Sequence, residues 1–175
     1  MVVVLEAFED VRAFMERGGD VLFLVALVSF LMWVLIIERL WYFRSAYKKE
    51  SNRIITAWEA RKERKSWHAH KIRTAMISQA NEGLNQNVMM IKTLVAICPL
   101  VGLLGTVTGM VEVFDVMAVM GSGNARSMAA GVSKATLPTM AGMVAALSGV
   151  FMGTYIERKA KIEAARLDDH LTMDH

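Results

Sequence analysis

The chain has 175 residues, 54% of them hydrophobic, and a formal net charge of +3, with a mean hydropathy of +0.35. Its apolar residues gather into three uncharged runs, 21–37, 93–111 and 135–156, of 17, 19 and 22 residues. Runs of that length exclude an ordinary soluble domain and point to an integral membrane protein with its termini on opposite sides.

Residues 1–20 place apolar side chains at Val4, Phe8, Val11, Phe14 and Met15, with Glu9, Arg12 and Glu16 between them. That spacing predicts a short amphipathic helix on the outer membrane face or against other subunits, with a plain leader to the span as the alternative, and Gly18 and Gly19 predict a bend into the first span. The acidic residues ahead of Val21, with no small-residue cleavage site after the run, argue against a cleavable signal. The first transmembrane helix, 21–43, ends in Glu38, Arg39, Trp41, Tyr42 and Phe43. Aromatics beside basic residues mark a membrane interface, so this helix reads as a lipid-facing anchor.

Residues 44–71 form a basic loop carrying Arg61, Lys62, Arg64 and Lys65 near Trp58, Trp67, His68 and His70. Residues 39–92 hold 12 Lys or Arg, whereas residues 1–20 hold 2 against 5 acids. This asymmetry sets the loop in the cytoplasm and the N-terminus outside. A basic cluster beside a membrane fits anionic lipid headgroups better than nucleic acid. Cys98 is the single cysteine, which leaves no intrachain disulfide and no multi-cysteine metal site.

From Ile72 an apolar stripe runs through Met76, Ala80, Leu84, Val88, Ile91 and Val95. It predicts one long helix over 72–120, standing in the cytoplasm and then crossing the membrane as the second span. Gly121, Ser122, Gly123 and Asn124 predict an outer turn within 121–127, so the second and third spans should pack antiparallel. The third transmembrane helix with its cytoplasmic extension covers 128–167, and 168–175 is a tail. The fold class is an all-α membrane protein with three transmembrane helices.

Three groups of residues carry the functional reading. Small residues, Gly102, Gly105 and Gly109 on the second span and Gly142, Ala145, Gly149 and Gly153 on the third, report close helix association within the chain or between subunits. Thr106, Thr108, Thr136 and Thr139, with kinks expected at Pro99 and Pro138, suggest a narrow hydrated path, although an isolated Thr commonly bonds back to its own helix. At 1.5 Å per residue, Glu112 and Lys134 reach nearly the same depth if Thr106 and Thr139 lie level, so that they either form an ion pair at the outer mouth or each reach the headgroups separately. No Asp, Glu, His, Lys or Arg lies in 93–111 or 135–156. A proton path through these helices must therefore borrow a carboxylate from a partner. With no nucleophile beside a base, no phosphate loop and no metal cluster, an enzyme reading has no support and no cofactor is implied.

CPLVGLLGTVTGM, from Cys98 to Met110, and GVSKATLPTMAGMVAA, from Gly131 to Ala146, resemble the second and third spans of the MotA/TolQ/ExbB proton-channel family, and its ExbB branch most closely. The resemblance implies a homo-oligomer, expected to be a pentamer, in the bacterial inner membrane, with a periplasmic N-terminus and a cytoplasmic C-terminus. It implies an ExbD-like partner supplying a membrane aspartate, and a TonB-like protein energised for outer-membrane uptake of iron-siderophore or haem. Thr106 and Thr139 fall on the family's pore threonines, and Pro99 on its alanine-proline position. Lys134 stands where ExbB has a glutamate, and Pro138 stands where a small or hydroxyl residue is usual. A TolQ-like envelope transducer and a passive scaffold for a partner are the alternatives.

Overall fold

The computed structural model describes residues 2–61, 63–64, 66–120 and 125–171. The expected turn at Gly121 to Asn124, the basic residues Lys62 and Lys65, and residues 172–175 of the expected tail lie outside the described residues. Among the described residues the regular structure is helical: α1 Val2–Arg44, α2 Ala46–Glu59, α3 Trp67–Asn85, α4 Val88–Met120 and α5 Ala125–His170. Three helical stretches are long and apolar enough to cross a membrane, with mean hydropathies of 2.7, 2.1 and 1.5 in their most apolar windows. The chain divides into two compact units, Met1–Met32 with Thr93–Val150, and Trp33–Lys92 with Phe151–His175.

In the first unit α1 is interrupted at Gly19, whose φ of 68° and ψ of −169° are non-helical. A β-carbon is strained in that backbone, so glycine permits the bend. A β-carbon built there would also stand 3.2 Å from Lys134 Cε. Beyond the bend Leu22, Val25 and Met32 are buried. Their spacing of three and seven keeps one face of α1 turned inward.

Helices α4 and α5 meet along their small residues. A β-carbon on Gly142 would lie 2.6 Å from the Cys98 carbonyl oxygen, and one on Gly102 would lie 2.8 Å from that of Pro138. One on Gly109 would lie 2.6 Å from Ala135 Cβ. Partners that descend on α5 as they ascend on α4 make the pair antiparallel. For these three glycines the associating surface is another helix of the same chain. Gly105 faces the Pro138 ring and Val21, and Gly149 faces Met32 and Val95. With no apolar driving force between helices in lipid, this contact between backbones supplies the packing attraction.

The second unit has its own core of Trp58, Ala69, Ala80, Leu167 and Leu171, packed by Ile54, Ile55, Met76 and Ile77. Two arginines finish its helix ends. Arg39 Nη1 donates to the Gly83 carbonyl at 2.9 Å. Arg73 donates to the Leu171 carbonyl at 2.6 Å and to the Asp168 carboxylate at 2.7 Å. Both acceptor carbonyls belong to helix C-termini, which have no intrahelical donor of their own. Lys92 and Glu157 form an ion pair at 2.7 Å between α4 and α5, and Gly153 packs against Ile91 at an ordinary 3.7 Å.

Three expectations change. The stripe from Ile72 is not one helix: α3 ends at Asn85, α4 begins at Val88, and Asn87 between them has a φ of 61°. Apolar periodicity survives a two-residue break, and Asn is among the few side chains that accept a left-handed backbone. The segment 44–71 is helical over α2 and at the start of α3, where Ser66 caps the helix by accepting from the Ala69 amide at 3.2 Å. Helix α5 runs from Ala125 to His170 rather than over 128–167.

Candidate functional site

Thr106 on α4 and Thr139 on α5 are hydrogen-bonded through their hydroxyls. Thr139 also donates to the Gly102 carbonyl at 2.8 Å. A hydroxyl has one hydrogen, and that of Thr139 lies on Gly102, so Thr106 donates to Thr139. The result is a directed chain, Thr106 to Thr139 to the Gly102 backbone, that ties α4 to α5. It can form because Gly102, Gly109 and Gly142 let the two backbones approach. Both hydroxyl-bearing residues are half-buried. The Thr106 oxygen keeps acceptor capacity.

Thr108 and Thr136 behave differently. Thr108 shares its one hydroxyl hydrogen between the carbonyls of Leu104 and Gly105, at 3.0 and 3.2 Å, and Thr136 donates to the Ser133 carbonyl at 3.0 Å. Each satisfies its hydroxyl on its own helix, and both residues are exposed on the chain's surface. They do not join the bridge.

Lys134 Nζ lies 2.8 Å from Glu112 Oε2. The lysine stem passes the Gly19 bend, so α1, α4 and α5 are gathered at one point. Both charged side chains remain substantially exposed, at 43% and 62%. In water a pair of that kind contributes roughly 0.2–1 kcal/mol. Asp115 is exposed one turn from Glu112. Both prolines sit inside helices, Pro99 in α4 and Pro138 in α5. The Pro138 ring fills the space above Gly105. Ala145 is half-buried.

Sequence reasoning missed a contact between this neighbourhood and α1. Ser29 lies beside the buried Cys98 thiol, one turn from Gly102. A lone polar residue in the run 21–37 was the available signal. It also missed Arg39, buried to 2% exposure, which was legible only as an interfacial cation.

The description "MotA/TolQ/ExbB proton channel family" matches residues 42–169, a stretch that includes both members of the threonine bridge. A similar protein is the putative biopolymer transport protein ExbB-like 1 of Synechocystis sp. (strain ATCC 27184 / PCC 6803 / Kazusa), 39% identical over 61 residues, 33% of this chain and 24% of that relative. The matched stretch thus spans about a quarter of that protein's length. With α4 and α5 lying wholly or almost wholly inside the matched region, this chain belongs to the MotA/TolQ/ExbB proton channel family.

Proposed function

We propose that this chain is the scaffold subunit of an inner-membrane complex that uses proton entry to drive a TonB-type energy transducer, with Thr106 and Thr139 at the ion path. The observation that carries the reading is the hydroxyl bridge between two membrane runs free of Asp, Glu, His, Lys and Arg. Hydroxyls orient a proton carrier but do not store charge near neutral pH. The titrating group is then the carboxyl of an ExbD-like partner. A protonated carboxyl can donate to the Thr106 oxygen and leave the bridge in place. A carboxylate only accepts, and to be satisfied it must draw the Thr106 hydrogen away from Thr139. Loss of the partner's proton thereby loosens α4 from α5. One charge moving through 100 mV releases about 2.3 kcal/mol, enough to break one such hydrogen bond.

A homo-oligomer fits the surface. The most apolar windows of the three spans are only 22%, 22% and 28% buried by the chain itself. Lipid and neighbouring subunits must cover the rest. The proposed topology sets Glu112 and Lys134 at the periplasmic mouth and the Trp58 core in the cytoplasm, following the basic excess of residues 39–92.

Replacement of both threonines by Val tests the proposal. The complex should assemble at normal mass while TonB-dependent iron-siderophore uptake and proton flux are lost. Normal uptake by an assembled Val/Val complex refutes the role and favours a passive scaffold. Restoration of an envelope-integrity phenotype instead of uptake assigns the chain to a TolQ-like system.

A further inference from the structure

A cleft of about 380 Å³ opens within the second unit, between the α1–α2 junction and the last turns of α5. Its polar wall includes Lys48, Asn52, Arg166 and His170, and its apolar wall includes Phe43 and Leu167. The volume falls within the usual range for small-molecule sites, roughly 300–1,000 Å³. It is several times what a few waters occupy at about 30 Å³ each.

The lining is rich in donors. The Lys48 ammonium and the Asn52 side-chain amide have no protein partner among the described residues. Arg166 spends one nitrogen on the Glu163 carboxylate at 3.2 Å, and a guanidinium has further N–H groups to offer. Glu163 is the one carboxylate among the lining residues. Glu163 faces Arg166 through its carboxylate, and its carbonyl accepts from the Tyr47 hydroxyl at 3.1 Å. Burial, followed by the nearby Glu163 charge, pushes the Tyr47 phenol above its usual range. Tyr47 therefore keeps its proton, and that bond fixes α1–α2 against α5 as a rigid wall. A cleft edged by the exposed Lys48 ammonium and Arg166 guanidinium, with an amide donor at Asn52 and a single carboxylate at Glu163, offers cationic and N–H groups to an acceptor-rich anion attached to a small organic body.

We infer that this cleft binds a phosphate ester, its phosphate held by Lys48, Arg166 and Asn52 and its carbon body against Phe43 and Leu167. Two sources present that chemistry. Phe43 lies six residues beyond Ile37, roughly 9 Å along the helix, so the cleft abuts the layer of lipid headgroups. An anionic phospholipid can reach it from there, and a soluble phosphate ester from the aqueous side.

The experiment uses the full chain, assembled with its partner, in nanodiscs of phosphatidylcholine with or without phosphatidylglycerol. Native mass spectrometry counts retained phosphatidylglycerol, and calorimetry titrates sn-glycerol 3-phosphate into lipid lacking it. The double variant Lys48→Ala/Arg166→Ala should weaken whichever probe binds by at least about tenfold, the loss of a charge-assisted contact. The control Lys49→Ala/Arg53→Ala removes the same charge outside the cleft and should stay within about twofold. Lys48→Glu, on an exposed side chain, repeats the test without touching the Glu163–Arg166 pair. Selective loss of retained phosphatidylglycerol identifies a lipid site, and selective loss of sn-glycerol 3-phosphate binding identifies a soluble ester. Equal losses in the cleft and control variants, or binding of neither probe by the wild type, overturns the inference.

Discussion

Arg39 reaches from α1 to the Gly83 carbonyl near the end of α3, at 2.9 Å. Its guanidinium carbon stands 4.9 Å from the centre of the Tyr42 ring. Its Nε lies 3.1 Å from Glu38 Oε2, close enough to attract but without hydrogen-bond geometry, so that among the described residues this N–H has no acceptor. The charge is thus held by one good hydrogen bond, one poorly aimed ion pair and one aromatic face. Arg39→Ala should cost about 1.5–3 kcal/mol, because it removes a charged hydrogen bond and leaves a helix-end carbonyl unpaired. Arg39→Lys should recover only part, since an ammonium cannot serve Gly83 and Glu38 with a planar fork. Thermal unfolding of the purified complex measures the loss, and faster amide exchange around residues 84–88 locates it.

Much of the architecture was legible in the residue pattern, for physical reasons that particular positions make plain. A hydrocarbon layer demands long uncharged runs, so the three spans announce themselves. A short connection between the runs containing Thr106 and Thr139 sets an antiparallel register. Counting 1.5 Å per residue from that register then brings Glu112 level with Lys134, and they stand 2.8 Å apart. The break at Asn87 was hidden because the stripe keeps its face across it, and a single left-handed residue leaves no periodic trace. Arg39 was hidden for a related reason. Sequence shows a cation at a membrane edge, and only packing shows that its acceptor is a carbonyl 44 residues away.

The left-handed backbone of Asn87, φ 61°, gives a graded test of the helix break. Asn87→Gly should leave stability nearly unchanged, because glycine adopts that conformation freely. Asn87→Val should lose roughly 1–2 kcal/mol, the cost of a β-carbon in the left-handed region. The outcome that contradicts the break is equal thermal stability for the two variants.

The close approach of α4 and α5 leaves no room at Gly142, where a β-carbon would lie 2.6 Å from the Cys98 carbonyl oxygen. Backbone cannot rotate away as a side chain can. Gly142→Ala should therefore destabilise the subunit by about 1–3 kcal/mol, and Gly142→Leu should prevent accumulation of the folded protein. Gly153→Ala meets only Ile91 Cγ2 at 3.7 Å, and should be tolerated. Expression level and melting temperature of the three variants separate a specific backbone contact from a general dislike of larger residues.

Glu112 and Lys134 provide the last test, which bears on the mouth of the proposed path. If the pair acts through mutual charge, Glu112→Lys and Lys134→Glu should each impair function by setting like charges together. The exchanged double variant should recover most of the activity. The static stability change should be small, on the order of 1 kcal/mol, because both side chains are exposed. The functional change should be larger, because a like-charged pair at a narrow entrance alters the local concentration of cations. Proton uptake by reconstituted vesicles at low and high salt reads this directly, since added salt screens an electrostatic effect over about 10 Å at 0.1 M. A double variant no better than either single variant would remove the pair from the mechanism. The Lys134 stem would then matter only for its packing beside the Gly19 bend.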